Sequence, residues 1–225
     1  MKNQSIVHLT FITGRAYLIR GKDGWVLVDT LSPWNGRRLV RRLERQGIDL
    51  RRIRLILLTH GHIDHFGNAL RLKAKTGAPI AIHELDAEGP RKGRNMAVSP
   101  RNAFQTLLAF FINRMKTTAF SPDIILKGEE GDLEQYGVVA RWVRTPGHTP
   151  GSISIVLPGE AAIVGDLVIG RFSALKRPAY PLWVTDKQQV RESVRKLLDD
   201  APTTFLSGHG GPFKTDDVRR VFLER

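Results

Sequence analysis

The stretch Ile53–His65 reads IRLILLTHGHIDH, and it carries the strongest structural signal in the chain. Its first part contains the unbroken apolar run Leu55–Leu58, which is typical of a central strand buried on both faces. Gly61 marks a turn directly afterwards, and three histidines and one aspartate fall within six positions. Binding groups of open α/β sheets gather at the carboxyl ends of strands. The stretch therefore predicts a central strand, Ile53–Thr59, that delivers a polar site at its end.

The spacing of these polar residues favours metal binding. In an extended turn, residues two apart point the same way, so His60 and His62 can converge on one ion. Asp64 and His65 lie further round the turn and can face a second point nearby. Burying four such side chains together without a cation would be costly. The 225-residue chain contains no cysteine, so a metal site must use His, Asp or Glu.

Three further polar residues follow predicted strands. His148 lies in TPGHTPGS, Asp166 in VGDLVIG and His209 in SGHGGPF. The preceding strands are predicted at Val138–Arg144, Ala161–Val164 and Thr203–Ser207. Four strand ends thus supply seven His or Asp side chains, which indicates a dinuclear metal site. Asp166 is the natural bridge between two ions, because a carboxylate has two oxygens to share.

The rest of the chain alternates short β-branched runs with helical patterns, which predicts a layered α/β domain. We expect one domain over 1–225 with a helical insert at about 85–125. The other predicted strands are Ile6–Ile12, Tyr17–Arg20, Trp25–Asp29, Pro79–Ile82 and Ser152–Leu157. One predicted helix starts after Ser32 and is stopped by Gly47. Two others are predicted at Phe66–Thr76 and Pro100–Lys116. A further helix is predicted to begin at a Thr185 cap and to reach Leu198.

The sequence resembles the metallo-β-lactamase-fold hydrolases over nearly the whole chain. The motifs that carry the resemblance are, in chain order, the Asp29 strand end, THGHIDH, TPGHTPGS, GD and GHGGP. The resemblance implies a four-layer αβ/βα sandwich with the site along one edge. It also implies a zinc-dependent hydrolase with two Zn²⁺ per chain, although nitrogen and oxygen ligands suit Fe or Mn as well. The implied ligands are His60, His62 and His148 for the first ion, Asp64, His65 and His209 for the second, and Asp166 as the bridge.

The resemblance implies a mechanism in which a hydroxide that bridges the two metal ions attacks a carbonyl carbon. Asp64 would orient the hydroxide or take its proton. Asp29 has two readings of equal weight: support of the site from behind the ligands, or a cap on the turn that follows it. His83 ends a strand near the site and is a further candidate for lining the pocket.

Comparison with subfamilies narrows the substrate to a small ester, thioester or lactone. Hydroxyacylglutathione hydrolases share the TPGHTPGS and GD strings but carry a helical C-terminal domain, for which the 16 residues after His209 are too few. Lys176 and Tyr180 are loose counterparts of their substrate-binding lysine and tyrosine. N-acyl-homoserine lactonases carry a tyrosine where Ile169 stands. No export signal is visible, so β-lactam hydrolysis is expected to be incidental.

The charge is strongly positive, with 35 Lys and Arg against 22 Asp and Glu. Eight arginines fall within Arg37–Arg54, and we interpret them first as the solvated face of a helix. The alternative is an RNA-processing or phosphodiester hydrolase that uses this basic surface on the same site. No apolar run has the length of a membrane span or a signal peptide, so we expect a cytoplasmic protein.

The predicted helix Pro100–Lys116 carries a continuous apolar stripe and apolar residues beside it. A helix on a globular surface needs only one such face, so something else must cover the excess. We expect a lid that lines the acyl side of the substrate pocket, with Phe104, Phe111 and Met115 as contacts. Pairing of two such helices in a homodimer is a second expectation.

Overall fold

The computed structural model describes residues 5–96, 100, 103–171 and 173–224. Its first sheet contains six strands, β1 to β6, which lie side by side in chain order. The first three strands are antiparallel, and β3 to β6 run parallel. The strand bounds are β1 Ile6–Phe11, β2 Gly14–Arg20, β3 Trp25–Val28, β4 Ile53–Leu57, β5 Ile80–His83 and β6 Ile124–Leu126.

A second six-stranded sheet has the order β14-β13-β10-β9-β8-β7. Strands β10 and β13 are parallel, and the other neighbours are antiparallel. A separate two-stranded ribbon, β11 and β12, follows β10. The bounds are β7 Glu130–Asp132, β8 Arg141–Arg144, β9 Ile153–Leu157, β10 Ala161–Gly165, β11 Ile169–Arg171, β12 Ala174–Ala179, β13 Thr204–Ser207 and β14 Phe213–Lys214.

Helices cover the outer face of each sheet. One outer core joins the first sheet to α1 and α3, and another joins the second sheet to α6 and α7. None of the described helices has the length and apolar character needed to cross a bilayer. The helix bounds are α1 Gly36–Arg45, α2 Ile63–Phe66, α3 Ala69–Thr76, α4 Glu88–Lys92, α5 Ala103–Ile112, α6 Lys187–Leu198 and α7 Thr215–Phe222.

The alternation of side chains along the strands builds the layers. In β3, Val26 and Val28 join the core between the sheets, while Leu27 points to the outer core beneath the helices. Trp142 and Ile155 meet the same inner core from the second sheet. Period-two burial on both faces forces a helix layer on each side. The four-layer αβ/βα sandwich implied by the resemblance is confirmed.

One predicted helix begins later than expected in the structure. The helix predicted as Phe66–Thr76 forms α3, Ala69–Thr76, and a separate short helix that was not predicted, α2, precedes it and ends at Phe66. A Cβ on Gly67 would lie 2.6 Å from Pro33 Cδ, and the Asn68 side-chain amide donates to the carbonyls of Thr30 and Ser32 at 2.8 and 2.7 Å. Close packing on the loop after β3 therefore ends α2 early and places Asp64 and His65 on a helix of their own.

The helix cap predicted before α6 is wrong by one residue. Asp186, not Thr185, caps the helix, since its carboxylate accepts from the backbone N–H groups of Gln188 and Gln189. Thr185 instead donates its hydroxyl to the carbonyl of Gly147 at 2.8 Å. The preceding threonine is thus used to fix the turn that carries His148.

Helices α4 and α5 occupy the segment between β5 and β6 where the helical insert was predicted. Of the predicted helix Pro100–Lys116, the structure has Ala103–Ile112. Leu107, Phe110 and Phe111 are 60%, 50% and 60% exposed, while Ala109 is buried. Apolar side chains of this helix therefore remain exposed to solvent on the protein surface.

Candidate metal centre

The seven predicted ligands come together at one edge of the sandwich. Turns after strands of both sheets deliver them there, and the short helix α2 carries two of them. Their donor atoms fall into three overlapping groups, each within 4.8 Å across. The groups are His60, His62 and His148; His60, His65 and Asp166; and Asp64, His65 and His209.

The first group consists of three buried histidines whose nitrogens face one another. The Nε2 atom of His148 lies 3.2 Å from His60 Nε2 and 3.0 Å from His62 Nδ1. On its other side, the His148 ring donates from Nδ1 to the carbonyl of Trp183 at 2.7 Å. That carbonyl only accepts, so the proton sits on Nδ1, and Nε2 presents a lone pair to the group.

Burial keeps these three histidines neutral. Burial first, and then neighbouring histidines, lower the pKa of His60 well below its usual range and that of His62 to about 3. The pKa of His148 is lowered by burial as well. Neutral imidazole is the form that binds a metal cation, so the group is prepared for one at neutral pH.

We refer to His60, His62 and His148 as the first group and to Asp64, His65 and His209 as the second group. In the second group, carboxylates lie beside two histidines. Asp64 Oδ2 lies 3.1 Å from His209 Nε2, and Asp166 Oδ2 lies 3.5 Å from the same nitrogen. Asp166 Oδ1 is 3.4 Å from His65 Nε2, and Oδ2 is 3.9 Å from His148 Nε2. The Asp166 carboxylate thus lies between the two groups, within 4 Å of histidines of both.

The electrostatics of the second group differ from those of the first. Burial alone would lower the pKa of His65, but Asp29, Asp166 and Asp64 raise it well above its usual range. The pKa of His209 is raised in the same way by Asp166 and Asp64, against the effect of burial. Burial would raise the pKa of Asp166, yet His209 and His65 hold it well below its usual range. This half of the site therefore carries negative charge that a cation can neutralise.

Asp29 connects the two groups from behind. Its carboxylate accepts from the backbone N–H and the hydroxyl of Thr59, each at 2.8 Å, and from His65 Nδ1 at 2.8 Å. The Thr59 hydroxyl also lies 3.0 Å from His60 Nδ1. These contacts support the first reading of Asp29: it orients His65 directly and His60 through Thr59. Its described side-chain hydrogen bonds go to Thr59 and His65 and not to the turn that follows it. Such outer hydrogen bonds fix which nitrogen faces the metal.

The donor set fits a metal cation. The buried atoms His65 Nε2 and Asp166 Oδ1 have no hydrogen-bond partner among the described residues, although they lie only 3.4 Å apart. Buried polar atoms are normally paired, and a cation placed between these two would satisfy both. Imidazole nitrogens and carboxylate oxygens are the ligand types found at zinc, iron and manganese sites.

The predicted substrate contacts lie outside this cluster. Lys176 is exposed on β12, and Tyr180 packs against Phe222 with ring centroids 4.5 Å apart. Phe111 is exposed on α5, and Met115 packs against the outer core of the first sheet. The side chain of Phe104 lies outside the described part of the structure. The contacts described for the other four do not reach the seven residues.

His83, a predicted pocket residue, makes described ring contacts with Gly128 and Trp142 and not with the seven ligands. Its ring is buried, lies 3.1 Å through Nε2 from the carbonyl of Gly128 and meets the ring of Trp142 edge-on at 6.2 Å. The strand-end position predicted access to the site, but packing between the sheets takes the ring inward.

Sequence reasoning missed two residues that support the site. The buried hydroxyl of Tyr17 donates to the carbonyl of Ser207 at 2.7 Å, just before the turn of His209. Asp86 is fully buried and accepts a hydrogen bond from the backbone N–H of Gly61, between His60 and His62. No sequence signal marks either one, because their partners lie far away along the chain.

The fold and the cluster agree with comparisons to known proteins. A family profile described as the metallo-beta-lactamase superfamily matches residues 9–209. The chain therefore belongs to the metallo-beta-lactamase superfamily. It is 31% identical over 189 residues to a probable metallo-hydrolase of Methanocaldococcus jannaschii, covering 82% of this chain and 80% of that protein. It is 29% identical over 181 residues to the hydroxyacylglutathione hydrolase GloC of Haemophilus influenzae, covering 77% and 74%.

Solved structures share the fold. A metallo-beta-lactamase family protein from Thermus thermophilus superposes with a TM-score of 0.67 at 23% identity, covering 99% of this chain and 77% of that one. The subclass B3 metallo-beta-lactamase of Bradyrhizobium japonicum gives 0.64 at 22% identity, covering 92% and 75%. At these identities the likeness establishes the fold alone.

We expect zinc to stabilise the metal-free protein through this cluster. A ligand that binds only the folded state at 100 times its Kd adds about 2.7 kcal/mol to the free energy of unfolding. For a chain of this size, Tm should rise by roughly 5–10 °C. Differential scanning fluorimetry with and without Zn²⁺ measures the shift.

The exposed His8 supplies a matched control for this measurement. His8→Ala should keep the zinc-induced shift, and His148→Ala should lose most of it. Equal shifts in the two variants would show that zinc binds elsewhere.

Proposed function

We propose that this protein is a dinuclear metal-dependent hydrolase with two Zn²⁺ per chain. His60, His62 and His148 would hold one ion, and Asp64, His65 and His209 the other. The observation that carries the proposal is the position of Asp166, whose two oxygens face histidines of both groups. A carboxylate between two converging donor sets is what a pair of cations requires.

When bound, the two cations would supply hydroxide near neutral pH and polarise the carbonyl that it attacks. The chain's own residues set where the reaction occurs. Asp64 and His209 have side chains 32% and 31% exposed, whereas His60, His62, His65 and His148 are buried. Solvent and substrate would therefore reach the cluster from the Asp64 side, where its carboxylate is placed to accept a proton.

The substrate class that we propose is a small ester, thioester or lactone, hydrolysed in the cytoplasm. A Cβ on Gly14, in the hairpin between β1 and β2, would lie 3.5 Å from His209 Cε1. Beside this hairpin lies a cavity of about 590 Å³, whose lining includes Ile12, Trp34 and Arg38. Such a volume suits a small molecule. The name of the GloC relative, hydroxyacylglutathione hydrolase, also favours hydrolysis of an acyl compound.

A phosphodiester or RNA substrate is the second candidate, and one observation favours it. All eight arginines of the segment Arg37–Arg54 are exposed, and none forms an ion pair with a described carboxylate. Arg38 also lines the cavity beside the hairpin of β1 and β2. Exposed arginines without described acidic partners would attract a polyanion, and binding through them would weaken steeply with salt.

Asp166→Asn tests the proposed bridge, because it keeps the shape of the side chain and removes the charge that offsets two dications. We expect weaker zinc binding and a fall in kcat of at least about 100-fold. Zinc content comes from inductively coupled plasma analysis. Activity comes from a panel of an acylglutathione, an acyl-homoserine lactone, nitrocefin, bis-p-nitrophenyl phosphate and a transfer-RNA precursor.

The control variant is Asp132→Asn, at an exposed aspartate on the edge strand β7. It should retain two zinc ions and full activity. Wild-type turnover in Asp166→Asn would exclude Asp166 as the bridge. Cleavage of the transfer-RNA precursor that falls sharply between about 50 and 200 mM salt would favour the second candidate over the first.

We further propose that α5 is a lid over the metal cluster, on the side where the acyl group of the substrate would bind. The Gln105 side chain donates to the carbonyl of Leu182, next to the Trp183 carbonyl that holds His148. At the other end of the helix, the side chain of Asn95 donates to the Ile112 carbonyl and accepts from the backbone N–H of Ile63. These hydrogen bonds tie both ends of α5 to segments that support the metal ligands.

The exposed apolar residues of α5 allow the lid to be tested without disturbing the core. Leu107→Ala and Phe111→Ala should raise KM about tenfold for long acyl esters and much less for acetyl esters, because each buried CH₂ contributes about 0.8 kcal/mol. The values of kcat and the zinc content should not change. Steady-state kinetics on esters of increasing chain length provide the measurement.

Val139→Ala removes an equally exposed apolar side chain, 64% exposed, before β8 and serves as the control. A drop of several degrees in Tm with no dependence on chain length would show that α5 is only a packing helix. Loss of a dimer in analytical ultracentrifugation, with unchanged KM, would instead assign the face to a second copy of the chain.

A further inference from the structure

Asp86 is a buried carboxylate with an unusual set of partners. It ends the 3₁₀ turn Glu84–Asp86 that follows β5, and its side chain is fully buried. Oδ2 accepts from the backbone N–H of Gly61 at 2.7 Å and from the hydroxyl of Thr149 at 2.6 Å, while Oδ1 accepts from the backbone N–H of Gly151 at 2.7 Å. No Lys or Arg among the described residues pairs with it, so these three donors offset the cost of its burial.

The three donors belong to two separate turns, and both turns carry metal ligands. Gly61 stands between His60 and His62 in the turn after β4 of the first sheet. Thr149 and Gly151 follow His148 in the turn after β8 of the second sheet. The Asp86 carboxylate therefore accepts hydrogen bonds from both turns that carry the three histidines, one turn from each sheet.

Both turns approach Asp86 closely, one at its backbone and the other at its carboxylate. A Cβ on Gly61 would lie 2.6 Å from the backbone oxygen of Asp86, and a Cβ on Gly151 would lie 2.6 Å from Asp86 Oδ1. Neither glycine has a positive φ, so close approach, and not backbone conformation, is what requires glycine there. Ser152 adds to the fit, since its hydroxyl lies 2.6 Å from the Thr149 hydroxyl that donates to Asp86.

The contacts of Asp86 bear on the distances between His148 and the other two histidines of the group. His148 Nε2 lies 3.0 Å from His62 Nδ1 and 3.2 Å from His60 Nε2, and these separations join residues about 90 positions apart. Apolar packing between two sheets is non-directional and does not set such distances to a fraction of an ångström. Hydrogen bonds that both turns donate to one carboxylate can set them, because each bond has a preferred length and angle. A backbone bond from Ile153 N–H to the Thr59 carbonyl at 2.9 Å holds the same two segments beside this carboxylate.

We propose that Asp86 is a positioning residue that sets the spacing of His60 and His62 relative to His148, and so controls the affinity of the three-histidine ion alone. The inference rests on the proposed metal centre. The second ion depends on Asp64, His65 and His209, which share no hydrogen bond with Asp86 among the described contacts. Loss of the Asp86 contacts should therefore affect one metal-binding step and leave the other unchanged.

Asp86→Asn tests the proposal with little change in shape. In either orientation, the side-chain NH₂ group faces at least one N–H or O–H donor that it cannot pair with. We expect the Kd of one of two Co²⁺ binding steps to rise about 10–100-fold. The visible absorption spectrum of the first bound Co²⁺ should change as well. Competition with a chromophoric chelator gives both constants, and the spectrum is recorded in the same titration.

Thr149 supplies a second pair of variants that avoids removing the carboxylate. Thr149→Val deletes the hydroxyl donor and should weaken the same Co²⁺ step, whereas Thr149→Ser keeps the hydroxyl and should bind like wild type. Asp200→Asn is the control for an Asp-to-Asn change, because Asp200 pairs with Arg141 and not with the metal turns. It should leave both Co²⁺ constants unchanged.

Three outcomes would overturn the proposal. Wild-type constants for both steps in Asp86→Asn and Thr149→Val would show that the spacing does not depend on these contacts. Equal weakening of both steps, together with a lower Tm of the metal-free chain, would assign Asp86 a role in general stability only. A wild-type chain that binds no Co²⁺ would refute the metal centre itself, and the inference with it.

Discussion

Convergent burial of ionisable groups is the constraint on which the rest of this structure depends. His60, His62, His65 and His148 are almost entirely shielded from water, and Asp166 lies among them. A group of this kind is stable only if each ring is oriented by a partner behind it and faces a compensating charge in front. Behind the rings, His65 bonds to the Asp29 carboxylate, His60 to the Thr59 hydroxyl and His148 to the Trp183 carbonyl. Asp86 bonds instead to the turns that carry His60, His62 and His148. The sandwich brings the turns of both sheets to one edge, where these contacts become possible.

The two halves of the site differ in their charge state, and the difference follows from their neighbours. The three-histidine group has mainly other histidines around it, so burial and mutual repulsion keep it neutral. The second group contains carboxylates, which raise the pKa values of His65 and His209. Without a cation, protons on these two histidines balance part of the negative charge. A metal ion would replace those protons, so we expect metal binding to release protons and to weaken as pH falls.

Much of the fold and of the site could be predicted from the sequence, because both depend on local patterns. The run Leu55–Leu58 identified a central strand, and each ligand follows a strand end marked by glycine or proline. Strands β6, β7, β11 and β14 were missed, since segments of two or three residues give no period for a pattern to repeat. The six-residue strand β12 was missed as well. Asp86 was missed for a different reason: its partners lie 25 to 65 residues away, and only the tertiary fold brings them together. The break between α2 and α3 likewise depends on packing against the loop after β3.

The central claim is that seven residues form one site for two metal ions. The most direct test is anomalous X-ray diffraction at the zinc edge from crystals of the zinc-loaded protein. The account predicts two peaks per chain. One should lie about 2.0–2.1 Å from His60 Nε2, His62 Nδ1 and His148 Nε2. The other should lie at bonding distance from Asp64, His65 and His209, with oxygen atoms of Asp166 reaching both. A single peak, or peaks that do not contact these nitrogens, would contradict the account.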